Sequence, residues 1–150
     1  MSVAERAAAV QPDIEAIRAV IAAISAAHYR KDAAAIARQY APGAVIADLA
    51  PPLVSRGFDV GKTQEWLDGW DGPVELETRD LEIESGGDLG LCHGLRYVRA
   101  RTRQGEEAAW WSRITLALVR RQGSWQVVHE HNSVPFYMDG SYRAAIDLDP

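Results

Sequence analysis

Residues 118–136 read LVRRQGSWQVVHEHNSVPF. Two strand-like runs flank Gln122-Gly123, and a glycine at such a break is a hairpin signal. Upstream, residues 74–84, 89–102 and 108–121 have the same strand-like composition, and 125–134 completes the set. The breaks Gly86-Gly87-Asp88, Gln104-Gly105-Glu106 and Gln122-Gly123 each predict a turn. The chain beyond residue 73 therefore predicts a meander of four long antiparallel strands.

Before residue 73 the period changes. Ile14, Ile17, Ile21, Ile24 and His28 alternate spacings of three and four, which is one stripe of an amphipathic helix. Pro12 suits a first helical turn, and Asp13 and Glu15 complement the helix dipole. Residues 1–11 then form a loose leader. Asp32 predicts a cap for a second, short helix running to Tyr40, with Ile36 and Tyr40 on one face and Pro42-Gly43 ending it. Ala44–Asp48 reads as a short strand, and Pro51-Pro52 makes a loop. A third helix is predicted over about 59–70, with Trp66 and Trp70 one turn apart. Asp71-Gly72-Pro73 breaks it. Helices followed by a meander predict an α+β fold. The expected architecture is three N-terminal helices packed on a strongly curved antiparallel sheet. It is a single domain over residues 1–150, shaped as a cone with a central cleft.

Composition sets the function classes aside in turn. The 150 residues are 47% apolar and 25% charged, with 12 Gly and 7 Pro, as in one globular domain with its own core. A net charge of −5 argues against a nucleic-acid partner. No apolar run reaches the length of a membrane span, and Met1–Arg6 lacks the apolar core of a signal peptide, so the expected location is cytoplasmic. Cys92 stands alone within an apolar strand, which predicts a small core residue and excludes an intrachain disulfide. His129 and His131, two apart on a strand, share a face and could offer two metal ligands. No third ligand has a spacing that matches them, so no metal and no cofactor is expected. The bland alternative places both histidines in structural roles or at a subunit contact.

Two segments carry a resemblance. Residues 30–49, RKDAAAIARQYAPGAVIADL, resemble the second helix and first strand of ketosteroid isomerase-like proteins. Residues 118–136 resemble the last hairpin of SnoaL-like proteins and of the calmodulin-dependent kinase association domain. Both groups belong to the superfamily named for nuclear transport factor 2, and the order of elements matches over nearly the whole chain. The superfamily hosts enzymes, binders and assembly domains alike.

Asp48 is the most informative residue. It ends the short strand and precedes the apolar loop Leu49-Ala50-Pro51-Pro52-Leu53. A carboxylate with little access to water is a base suited to take a proton from carbon beside a carbonyl. The resemblance implies the same, since the matching aspartate of the isomerases is their base. The other reading is a turn aspartate bonded to nearby backbone amides. By the same resemblance, the isomerases' tyrosine donor falls at Ile24, and their second, acidic donor near Thr115-Leu116. Steroid isomerisation by the familiar route is therefore not expected. His28, one turn on from Ile24, can reach the cleft or bond a carbonyl at the helix end. The oxyanion donor is sought among His28, Ser112 and Asn132.

Alternation alone leaves the cleft face of the last strand open: Trp125, Val127, His129 and His131, or Gln126, Val128, Glu130 and Asn132. The resemblance selects the second face, and with it Leu116, Trp110, Ser112 and Ile114 on the neighbouring strand. Glu130 then reads as a second acid–base group, or as an ion-pair partner of Arg96 or Arg113. Trp66 and Trp70 read as core that also roofs the pocket. The basic run Arg96, Arg99, Arg101 and Arg103 reads as solvated strand faces.

The expected function is a small, cofactor-free acid–base enzyme acting on an apolar carbonyl compound: an isomerase, cyclase or dehydratase. The alternative is a non-catalytic ligand-binding or assembly module. The expected partners are a small apolar molecule in the cleft and a second copy of the chain. The homodimer would form through the convex sheet face carrying Trp111, Arg113, His129 and His131.

Overall fold

Ser2 and Glu5 open the first helix with a reciprocal capping box, each side chain bonding the other residue's backbone N–H. Helix α1 accordingly spans Val3–Tyr29, in a computed structural model that describes residues 2–150, without the side chains of 7–9. The expected leader is helical from residue 3, and Met1 lies outside the described residues. The cap and the good helix-formers behind it outweigh Pro12, which sits inside the helix rather than at its start.

Helix α2 covers Ala33–Ala37, with Asp32 accepting from the Ala35 N–H at 2.9 Å. It stops short of Tyr40, which instead begins strand β1 (Tyr40–Ala47). Strand β2 is Ser55–Arg56, and helix α3 is Val60–Asp68, capped by Asp59. Trp70 lies beyond its end. The meander follows as β3 (Glu75–Gly86), β4 (Leu89–Arg101), β5 (Glu107–Arg121) and β6 (Ser124–Ser133).

The sheet order is β2-β1-β6-β5-β4-β3. Every neighbouring pair is antiparallel except β1 with β6, which run parallel. The even-numbered residues of β4 and β5, from Cys92 to Ala100 and Ser112 to Leu118, face inward, where Ile17, Ile21 and Ile24 of α1 are buried with them in one core. The register of β1 against β6 shifts between Tyr40 and Val45, and two bulges bend the antiparallel part of the sheet: one in β3 between Arg79 and Glu82, the other in β6 opposite Ala117 and Leu118. Ala117 pairs with His129 and Leu118 with Val127, which leaves Val128 as the extra residue. Trp125 and Val127 therefore face inward before the bulge, and Glu130 and Asn132 after it. Neither of the two faces expected from simple alternation is continuous.

Candidate functional site

The curved sheet, α3 and the loop after β1 enclose a cavity of about 560 Å³. Seven of the anticipated residues line it: His28, Asp48, Trp66, Trp110, Ser112, Glu130 and Asn132. Leu116 does not; it is buried in the core one layer deeper. Trp70 does not either; past the end of α3 it packs behind the wall, against Trp66 (centroids 6.0 Å) and Trp110 (6.5 Å). Tyr40 and Phe58 also belong to the wall, without having been expected there, and Arg96 belongs to it as one of the two ion-pair partners read for Glu130.

Asp48 follows the last residue of β1 and stands at the mouth. Its Oδ1 accepts the Leu49 N–H at 2.8 Å and the Asn132 amide at 3.3 Å. The carboxylate thus faces the cavity and also ties its own turn. The loop behind it does not shelter it: Asp48 to Val54 are all exposed, Leu53 by 95%. The expected exclusion of water from Asp48 by that loop is therefore not found; the strand end places the carboxylate, and the Leu49 N–H and the Asn132 amide hold it.

His28 sits in the last turn of α1, with Nδ1 2.8 Å from the Ile24 carbonyl oxygen. A carbonyl only accepts, so Nδ1 carries the hydrogen. Burial pulls the imidazole below its ordinary titration range, partly offset by that hydrogen bond. The neutral ring then offers a lone pair at Nε2. That reverses the donor role anticipated for His28.

Behind these two residues lies a buried charged cluster. Glu130 is 4% exposed and Arg96 7%, and Nη1 of Arg96 donates to Glu130 Oε1 at 2.8 Å. The Tyr40 hydroxyl donates to Glu130 Oε2, and Nδ2 of Asn132 donates to Oε1 at 3.0 Å. Burial favours the neutral acid, but the charge of Arg96 and the hydrogen bonds from Tyr40, Arg96 and Asn132 outweigh it and hold Glu130 below the usual carboxylate range. Tyr40 is pushed well above the usual phenol range by burial and by Glu130. Of the basic run, Arg96 is thus no solvated strand residue. Arg99 and Arg101 are, each bridging an acid at the surface (Glu75 and Asp71).

The remaining candidates lie elsewhere. Cys92 is buried in the core and its thiol is pushed up to about 11 by burial. Nδ1 of His129 donates to the Val45 carbonyl at 2.9 Å, His131 is exposed, and the two rings are 6.4 Å apart. Among the described residues no third ligand joins them.

Residues 17–137 match the family described as a SnoaL-like domain. No curated protein matches the chain significantly. Among solved structures, the chain is similar to an NTF2-like protein of unknown function from Pseudomonas putida. The two are 31% identical over 89% of this chain and 94% of that one, with a TM-score of 0.78. A candidate scytalone dehydratase from Novosphingobium aromaticivorans is 14% identical over 90% and 92%, with a TM-score of 0.75. A candidate calcium/calmodulin dependent protein kinase II association domain from Xanthomonas campestris is 16% identical over 78% and 84%, at 0.69. The last two show a shared fold.

Proposed function

The chain belongs to the SnoaL-like domain family, and from that premise we propose that its cleft binds a largely apolar carbonyl compound and performs cofactor-free acid–base chemistry on it. The observation that carries this reading is the placement of Asp48 and a neutral His28 on the wall of one cavity. The rest of that wall is rich in apolar side chains, among them Ile46, Phe58, Trp66, Leu76, Val98 and Trp110. Ligand pockets combine such walls with few, placed polar groups.

Both bonds to the Asp48 carboxylate fall on Oδ1, so Oδ2 is the oxygen that takes a proton from carbon beside the carbonyl. Returned to another carbon, the proton completes an isomerisation. In a dehydration the C–H electron pair becomes the new double bond, and the departing hydroxyl takes the abstracted proton back from Asp48 Oδ2 to leave as water. Nε2 of His28 is a second acceptor in the same space. Of the donors sought for the oxyanion, His28 is committed to Ile24, and Asn132 to Glu130 and Asp48. Ser112 remains, buried in the wall. The dehydratase-like neighbour agrees with this reaction class through its fold.

The test is hydrogen–deuterium exchange beside the carbonyl of a panel of cyclic ketones and enones, followed by mass spectrometry. Asp48→Asn is expected to slow exchange by a factor of about 10² to 10⁴. Equal rates in parent and variant would overturn the role of Asp48, and no exchange in any ketone that binds would overturn the enzyme. A second reading, a non-catalytic assembly module, draws on the aromatic pair Tyr97–Trp111 on the outer sheet face, 4.8 Å between centroids. A ring-like oligomer without exchange activity would favour it.

A further inference from the structure

Among the described residues, four buried side-chain polar atoms have no hydrogen-bond partner: Ser85 Oγ, Arg96 Nε, Trp110 Nε1 and Asn132 Oδ1. The last three belong to the wall of the one cavity described above. A buried polar atom left unsatisfied costs about 1–3 kcal/mol, so three at one cavity call for an explanation there.

Their chemistry is specific. Arg96 Nε and Trp110 Nε1 are donors. In the β4–β5 register Arg96 lies opposite Ser112 and Val98 opposite Trp110, which makes Arg96 and Trp110 diagonal neighbours on the concave face, with Ser112 directly across from Arg96 and on the same face of β5 as Trp110. Asn132 supplies the complement. Its Nδ2 bonds two carboxylates, which only accept, so the amide orientation is determined and the orphan Oδ1 is an acceptor. Charge is already balanced on the wall, which sets Asp48, Asp59 and Glu130 against Arg56, Lys62 and Arg96; nearest the orphan atoms, Glu130 neutralises Arg96 at 2.8 Å and Asp48 bonds Asn132. An added carboxylate would meet those two acids.

We infer that the cavity takes an uncharged hydroxy-ketone, its carbonyl oxygen received by Arg96, Ser112 and Trp110 and its hydroxyl donating to Asn132 Oδ1. This rests on the reading of the cavity as a ligand site and adds to it the polar pattern of the ligand. None of the three orphan atoms meets water in this structure, so seating the ligand includes turning these side chains toward it. The new hydrogen bonds offset the cost of that turn.

The experiment is calorimetric titration of the whole chain with rigid cage compounds: 2-adamantanone, 5-hydroxy-2-adamantanone and 1-adamantanecarboxylate. The carbons beside these carbonyls are bridgeheads that cannot form an enol, so recognition is measured without turnover. The hydroxy-ketone is expected to bind about tenfold tighter than the ketone, the ratio one added neutral hydrogen bond supplies. Trp110→Phe, which keeps an aromatic side chain and removes the N–H, is expected to weaken both ketones by a similar factor of about ten. Equal binding of the two ketones, tightest binding of the carboxylate, or no effect of Trp110→Phe overturns this inference and leaves the acid–base reading standing. If neither ketone binds at millimolar concentration, both readings fall together.

Discussion

At the scale of single residues, burial of charge governs what the site does. Burial lowers the titration of His28 in the folded protein below its ordinary value of 6.5. Its folded value is depressed, so its contribution to stability is full above the unfolded value and is lost as pH falls through that range. Glu130, also depressed, adds a loss in the same direction below 4.5. The melting temperature should therefore decline as pH drops from about 7 to about 5, and His28→Gln should flatten that segment of the profile. An unchanged slope would place the titration elsewhere. Glu130→Leu leaves Arg96 charged and buried, which should destabilise by about 3–5 kcal/mol. Adding Arg96→Met to it should recover much of the loss, because the uncompensated charge goes with it. Urea unfolding of the parent and these two variants reads both outcomes.

At the scale of elements, the two bulges decide which way side chains face. Beside the β3 bulge, Gly94 of β4 leaves no room for a side chain. A Cβ there would stand 2.9 Å from the Arg79 carbonyl oxygen and 3.1 Å from the Leu81 Cα, both backbone atoms. Gly90 is also tight, since a Cβ would come within 2.5 Å of Ile17 Cδ1, but that is the end of a side chain. Backbone yields less readily than a rotamer. Gly94→Ala should cost about 1–3 kcal/mol, and Gly90→Ala less. Denaturant midpoints at unchanged slope would check the order, and the reverse order would show that α1 is held rigidly against β4.

At the scale of the molecule, the helices cover the concave face, and the convex face carries Leu91, Leu95, Tyr97 and Trp111. Tyr97 and Trp111 stack there, with the Arg79 guanidinium 5.8 Å from the Trp111 centroid. Such a face associates with another like it. We expect a homodimer at micromolar concentration by analytical ultracentrifugation, and a monomer for Trp111→Glu. A monomeric parent would remove the proposal.

The strands of the meander and the turns between them were legible within a residue or two, because alternation and turn glycines are local signals. So were the stripe of α1 and the cap Asp32, whose side chain meets a backbone N–H three residues on. The start of α1 was present as Ser2-x-x-Glu5 and outweighs the proline that drew attention instead. Arg96 could not be read as buried from its own neighbours, since its partner Glu130 lies 34 residues away and reaches it only through the folded sheet. The bulge at Val128 likewise has no local mark: it arises where β6 must pair with β5 on one side and with β1 on the other. Sequence periodicity determined the elements and the face of each regular strand. Only the tertiary structure decided which polar groups share the cavity, because bulges shift the period and long-range charge pairing makes burial of Arg96 and Glu130 possible.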